Sequence, residues 1–400
     1  MKISFEGKDY NVYFPPNFSA ECSNCGFCCR LWKIQMDMDT YNQVKSLDIY
    51  EKMETENKCL IDVNTDNDTA IINLVENNCG FLSKDNLCLI HSEAGFEAKP
   101  LPCRQFPLNL FLTPEGIYVG FSHVCPSVGE NKNQGFDEKK YIPLIEELIR
   151  KNKFKSLLAQ NLPLAPGVDI DWQGYNLVEN FLRSKLPEES TADLQLWEPL
   201  MILAFVVLNT QLPFINSHNL STLIKKVDKT TLPEFNEIFR ELFDGIAWTV
   251  LSIVESDEDE MKMPNYQALL NQSNFKSNTF DVDIPINELN RYMNLHEDIE
   301  VENRIRNYIK HLLWRKYLIE KGTILGNLGA LEVVFRLCKW YIYAYAFTRK
   351  APHPEISDIK QGIAVVERII IHKKEYNILN LFTELITENI LQQLMVIMNP

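Results

Sequence analysis

The residues in this chain with the clearest chemistry are its cysteines. Nine of the ten lie in the first 125 residues, and four fall in the run Cys22-Ser-Asn-Cys25-Gly-Phe-Cys28-Cys29. Cys79, Cys88, Cys103 and Cys125 follow, with Cys59 between the two groups and Cys338 alone in the second half. Thiolates are soft, anionic ligands that favour zinc or iron–sulfur centres. Two Cys-x-x-Cys steps sharing a sulfur, followed by an adjacent pair, concentrate such ligands in a small volume. Setting Cys59 and Cys338 aside leaves Cys22, Cys25, Cys28, Cys29, Cys79, Cys88, Cys103 and Cys125. Eight thiolates suffice for two tetrathiolate sites, for one cluster plus structural zinc, or for one cluster plus reactive thiols. The spacing does not choose among these.

The opening sequence, Met-Lys-Ile-Ser-Phe-Glu-Gly-Lys-Asp-Tyr, has no apolar segment of the kind that directs secretion. A cytoplasmic location is therefore expected, where structural disulfides are rare. Adjacent cysteines such as Cys28 and Cys29 are also poor disulfide partners for each other. In an extended segment their side chains point to opposite faces, so the two can serve different centres. Arg30, Lys33 and Arg104 lie close to ligand candidates in sequence and could offset thiolate charge. His91 and His123 lie three and two residues from cysteines, but eight thiolates already fill two four-coordinate sites, so neither is expected to be a ligand. Cys338 is expected to be a buried core cysteine, and Cys59 sits in no motif.

These ligands need elements that place them. Ser83-Lys-Asp-Asn86 is turn-like and flanked by apolar residues, so it should bring Cys79 and Cys88 together. Prolines on either side of Cys103 exclude a long helix and suggest a stiff loop. Residues 116–126 read as a short strand running into Cys125. Gly26 would let the backbone fold tightly around a metal.

In its cysteine pattern and its Cys103-Arg-Gln-Phe-Pro107 segment, the region of about residues 18–130 resembles the YkgJ-type cysteine-cluster proteins, a group described as zinc- or iron-chelating. A narrower likeness lies inside it. Cys28-Cys29-Arg-Leu-Trp32-Lys-Ile34-Gln-Met36-Asp37-Met-Asp-Thr40-Tyr41 resembles the opening of the flagellin lysine N-methylases. That resemblance implies methyl transfer from S-adenosylmethionine to a lysine-bearing protein by an iron–sulfur protein. The chain departs from the pattern at Phe106-Pro107-Leu108, where those methylases tend to have Tyr-Pro-Arg.

At 400 residues, 46% hydrophobic and 24% charged, the chain has the composition of a globular protein able to bury a core. A net charge of −14 argues against a nucleic-acid partner, whose phosphates call for a basic face. The best apolar run, residues 200–208, is far short of the ~20 residues a membrane-spanning helix needs and reads as a buried helix. Residues 131–140 are polar and read as a linker between a cysteine-rich domain at 1–130 and a helical domain at 141–400. Helical spacing appears at Ile142, Ile145, Leu148 and Ile149, and again through residues 301–349. Residues 255–260 are acidic and read as a solvated loop opening an interruption near 255–280.

Trp340, Tyr343 and Phe347 recur at helical steps and are expected to be core, although stacked aromatics could also hold a nucleoside. Gly322, Gly326 and Gly329 lack dinucleotide-loop spacing and suggest close helix packing. No nucleophile elbow or carboxylate pair is visible, so catalytic residues are not assigned. The expected fold class is α+β, mostly α. Two functions compete: a cysteine-ligated iron–sulfur or zinc protein with methyltransferase activity, and a non-catalytic scaffold stapled by zinc.

Overall fold

The structure is a computed structural model. It describes the chain except residues 1, 17, 19, 21, 31, 57–60, 130–137, 188–195, 211, 228–236, 257–262, 369–377 and 399–400. Helix makes up 55% of the protein and strand 17%, so the expected α+β, mostly α class holds. Chain contacts divide it into two units, Met1–Lys155 and Ser156–Pro400.

In the first unit, Leu108–Thr113 and Gly116–Phe121 are rich in apolar residues and form an antiparallel hairpin, with Leu108 opposite Phe121 and Thr113 opposite Gly116. A second hairpin, Lys2–Phe5 with Lys8–Tyr13, joins it through parallel pairing of Val12 with Ile117. The helix Glu138–Arg150 lays Leu144, Ile145, Leu148 and Ile149 on this sheet, burying them with Ile3, Leu110, Val119 and Phe121. This is the amphipathic spacing read from the sequence, here closing one small core. The helix belongs to the first unit, so the contact boundary falls after it and not within residues 131–140. Residues 131–137 of the expected linker lie outside the described residues.

A second small core lies beside a three-stranded sheet of Ile34–Asp37, Ile61–Asn64 and Thr69–Ile72. It holds Ile34, Met36, Tyr41, Val44, Tyr50, Met53, Ala70, Ile72, Phe81 and Ile90. Asp37 starts the helix Met38–Lys45 by accepting the Thr40 backbone N–H at 2.8 Å, an ordinary N-cap.

In the second unit one continuous core surrounds the 25-residue helix Ile324–Thr348. That helix is apolar almost all round, as expected of a helix buried on every side. Trp340 and Tyr343 are core residues, as their spacing suggested. Cys338 is fully buried among apolar side chains. Residues 200–208 lie in the buried helix Trp197–Leu208. Gly326 and Gly329 do allow close helix packing: a Cβ on Gly326 would stand 2.5 Å from the Thr383 carbonyl oxygen, and one on Gly329 would run into Ile386 Cγ2. Among the described residues no helix is long and apolar enough to cross a membrane.

One sequence reading changes here. Glu255 is not part of a solvated loop. It is 1% exposed and accepts from Ser277 Oγ, the Thr279 N–H, Thr279 Oγ1 and Tyr341 Oη at 2.5–2.9 Å. The polar stretch after it folds into a hairpin, Asn274–Ser277 with Val282–Pro285, which delivers those donors. Residues 257–260 lie outside the described residues. Several polar residues along the helix Ile299–Trp314 and just beyond it are buried. Arg315 pairs with Glu367 at 2.7 Å and Lys316 with Glu179 at 2.8 Å, with all four side chains under 10% exposed.

Candidate metal centre

Four segments of the first unit carry the eight thiols. Residues 22–29 form a loop ending in the short 3-10 turn Phe27–Arg30, with the Cys29 N–H donating to the Gly26 carbonyl at 3.1 Å. Cys79 ends the short antiparallel pair Leu74–Val75 with Asn78–Cys79. The chain then turns back, and Cys88 bridges Leu82. Ser83 Oγ organises this turn by accepting the Asp85 and Leu87 N–H groups at 3.2 and 3.0 Å. The turn-like sequence at 83–86 thus acts as its composition suggested.

Cys103 sits in the five-residue helix Leu101–Gln105, which opens at Pro100 and Pro102; the expected stiff loop is a short helix. Proline fits a first helical turn, where its missing N–H has no intrahelical partner in any case. Cys125 follows the strand Gly116–Phe121 in a tight turn, its N–H donating to the Ser122 carbonyl at 3.1 Å.

The packing places these segments against the two small cores. Cys79, Cys88 and Cys103 pack on the core beside the three-stranded sheet, and Cys125 packs on the core of the larger sheet. The loop 22–30 is tied toward both. The Ser23 N–H donates to Ser127 Oγ at 3.2 Å, near Cys125, while Arg30 reaches Asn78 and Asn86, beside Cys79 and Cys88.

The thiols influence one another across this arrangement. The Cys29 thiol donates to the Cys28 sulfur, which with a smaller pull from Lys99 lowers Cys28 to about 6. Cys29 is pushed up in turn, first by donating to Cys28, then by burial and by the charges of Cys28, Cys79 and Cys88. Burial is the main cause that raises Cys79 to about 11 and Cys125 to about 11, and it raises Cys103 as well. Cys79, Cys88 and Cys28 push Cys103 further up, and Cys25 and Cys28 push Cys125.

Lys99 is the cation that acts on Cys28, Cys79 and Cys103. Sequence reasoning missed it, although it lies four residues before Cys103. The two arginines that proximity suggested serve oxygens instead. Arg104 donates to the Lys99 carbonyl, Glu97 and both Glu147 oxygens, and Arg30 donates to two asparagines and the Cys25 carbonyl.

All the described cysteines are free thiols. Among the described residues no three Cys, His, Asp or Glu side chains close to metal-holding geometry. A tetrahedral zinc site with Zn–S of about 2.3 Å needs sulfurs roughly 3.7 Å apart. Charges on thiols from these segments act on one another, so the segments share a neighbourhood. The donor set itself, soft sulfur from four segments, fits zinc or iron. His91 lies edge-on to Phe96 and His123 edge-on to Phe18, both in aromatic packing. Cys59 lies outside the described residues.

Five side chains behind the methylase likeness have structural work. Trp32 packs edge-on against Phe106 with ring centroids 5.2 Å apart. Ile34, Met36 and Tyr41 are buried in the smaller core, and Asp37 caps a helix through the Thr40 N–H.

Residues 21–134 match the family model described as "CxxCxxCC: Putative zinc- or iron-chelating domain". The chain is also 30% identical over 151 residues to uncharacterized protein MJ0939 of Methanocaldococcus jannaschii, a match spanning 37% of this chain and 47% of that protein. No solved structure matches. The family match supports metal chelation, of zinc or of iron, by this part of the chain.

Proposed function

We propose that the first unit is a thiolate metal centre whose ligands come from Cys22, Cys25, Cys28, Cys29, Cys79, Cys88, Cys103 and Cys125. The observation that carries this is placement: Cys79, Cys88 and Cys103 pack on one small core, Cys125 packs on the other, and hydrogen bonds from Ser23 and Arg30 tie the loop 22–30 toward both. Cys338, by contrast, is buried among apolar side chains of the second unit. Bound zinc would supply a closed structural staple, and iron with sulfide would supply a redox-capable cluster. Thiolate ligation works in a reducing compartment, so the proposal includes a cytoplasmic location.

The test is metal content, acid-labile sulfide and visible absorption on protein purified without air. Iron with sulfide and a broad visible band identifies a cluster. Stoichiometric zinc without colour identifies a staple and a scaffold role. A protein with neither metal overturns the proposal.

The iron outcome carries a finer reading, S-adenosylmethionine-dependent methylation of a lysine-bearing protein. Its support is the sequence from Cys28 to Tyr41. Since the Trp32, Ile34, Met36, Asp37 and Tyr41 side chains are spent on packing and capping, that segment marks the architecture of the cysteine unit more directly than a methyl-transfer site. Incubating the iron-loaded protein with labelled S-adenosylmethionine and lysine-rich acceptor proteins decides it. Absence of labelled methyl-lysine rejects the enzyme reading and leaves chelation standing.

A further inference from the structure

Residues 22–29 and the turn holding Cys79 and Cys88 are separated by about fifty positions in the chain, with no disulfide between them. Arg30 spans them. Its Nε donates to Asn78 Oδ1 at 3.0 Å, its Nη2 to Asn86 Oδ1 at 2.6 Å, and its Nη1 turns back to the Cys25 carbonyl at 3.3 Å. Each acceptor lies at or beside a ligand candidate: Asn78 precedes Cys79, Asn86 lies two before Cys88, and Cys25 is itself one.

The acceptors are held as well. Asn78 Nδ2 donates to the Glu76 carbonyl at 2.8 Å, fixing the amide so that its oxygen faces Arg30. Asn86 takes a left-handed φ of 62° and donates its N–H to the Ser83 carbonyl at 3.1 Å.

The loop backbone presses close at the same place. Gly26 has φ +67°, and a Cβ there would stand 2.9 Å from Arg30 Nη1 and 3.1 Å from both Asn86 Cβ and Leu82 Cδ1. A side chain at 26 would therefore push the loop off the turn, as well as straining the backbone.

We infer that Arg30, with Asn78 and Asn86 as its receivers, is a positioning clamp that holds two thiol-bearing segments in register for metal capture. This rests on the chelation reading above. The planar guanidinium presents donors in three fixed directions, and a lysine ammonium cannot reach three acceptors spread on two segments. A prealigned pair of segments loses less freedom when metal binds, so the clamp acts on affinity. Removing groups that orient ligands commonly costs about 10–100-fold in metal affinity.

The test uses the full chain, prepared without air and without metal, titrated with Co²⁺ against a competing chelator. The sulfur-to-cobalt charge-transfer band reports thiolate ligation directly. Wild type is compared with Arg30→Ala, Arg30→Lys, Asn86→Ala and the Arg30→Ala/Asn86→Ala double variant, and circular dichroism checks folding. The expected result is a 10–100-fold weaker Co²⁺ affinity for Arg30→Ala, with no rescue by Arg30→Lys. The double variant should be no weaker than Arg30→Ala, because both changes break one bridge. Affinities within twofold of wild type for Arg30→Ala and Arg30→Lys overturn the clamp. So does full rescue by lysine, which would reduce Arg30 to a simple positive charge. Should Arg30→Ala fail to fold, Asn86→Ala alone carries the decision by the same twofold criterion. If wild type itself binds neither Co²⁺ nor Zn²⁺, the chelation reading falls first, an outcome distinct from failure of the clamp.

Discussion

The two units solve the stability problem differently. Among the described residues, the second unit buries a continuous core of 62 apolar side chains around the helix Ile324–Thr348. The first unit has two separate cores of fifteen and ten. Cores this small supply little net stability, and natural domains of that kind are commonly held by metals or disulfides. The thiols lie against both of these cores, with Cys79, Cys88 and Cys103 on the smaller. The larger core instead tolerates expensive features, including fully buried ion pairs. Hydrophobic burial thus dominates the second unit, and in the first unit a metal bound by the thiols would add the most stability.

Metal should therefore act on one unit and not on the other. A ligand at 1,000 times its Kd stabilises the state it binds by about 4 kcal/mol. Adding zinc or iron to metal-free protein should slow amide exchange across residues 21–134 by two to three orders of magnitude. It should leave the helix Ile324–Thr348 unchanged. Mass-spectrometric hydrogen exchange with and without metal checks this. Equal protection of both units would remove the contrast, and no change in either would remove the staple.

The converse perturbation belongs to the second unit. Arg315 and Glu367 are 2% and 0% exposed and 2.7 Å apart, and Arg315 Nε has no hydrogen-bond partner among the described residues. Burial, and after it the Glu367 charge, keeps the neighbouring Tyr308 and Cys338 protonated. Glu367→Ala leaves a buried guanidinium uncompensated, at a cost of about 3–5 kcal/mol. Arg315→Met/Glu367→Leu removes both charges and should recover most of that loss. Urea denaturation followed by tryptophan fluorescence measures it, while metal affinity in the first unit should stay within error. A double variant as unstable as Glu367→Ala would show that the pair does more than satisfy its own charges.

The same contrast explains what could be read from sequence. Local signals transferred well: the Ser83–Asn86 turn and the spacing of Leu144, Ile145, Leu148 and Ile149 follow from neighbours in the chain, and the small residues at 326 and 329 announced close packing without naming its partner, Thr383. The thiols also declared themselves, because their types and spacing are local. What was illegible depended on distant partners. Glu255 looked solvated because acidic residues follow it, yet its donors come from Ser277, Thr279 and Tyr341, the last 86 positions away. Arg30 and Arg104 were close to sulfur in sequence, but their donors go to oxygens, and the fold brings the side-chain acceptors Asn78, Asn86 and Glu147 from far along the chain. Lys99 was overlooked for the same reason, since its nearness to Cys28 and Cys79 is tertiary.

A packing test of the second unit is smaller in effect. Gly326→Ala would favour the helix by about 1 kcal/mol on propensity alone. Here the new methyl would meet the Thr383 carbonyl oxygen, a backbone atom that cannot swing aside, at 2.5 Å. The expected outcome is a net loss of about 1–3 kcal/mol. Thermal unfolding of the variant decides it, and a stabilised variant would mean that the helices separate at little cost.

The smallest effect probes the first unit without touching its sulfurs. Asp37 is lowered to about 2, chiefly by accepting from Thr40, with a further contribution from Lys151 at 3.0 Å. Its ordinary value is about 3.9. A depressed folded pKa means the carboxylate stabilises the unit above about pH 4, and that this contribution disappears as pH falls from about 4 toward 2. The Asp37 side chain is 46% exposed, so solvent screens the Lys151 pair and the helix cap dominates. Asp37→Ala should therefore cost about 1 kcal/mol at neutral pH. Asp37→Asn should cost less, because its amide oxygen still accepts the Thr40 N–H, while removing the acid-dependent part. Unfolding midpoints of the three proteins between pH 3 and 7 separate cap from charge. If Asn loses as much as Ala at pH 7, the charge is what matters and the cap assignment is wrong. If wild type and Asn show the same acid dependence, Asp37 is not the group that titrates.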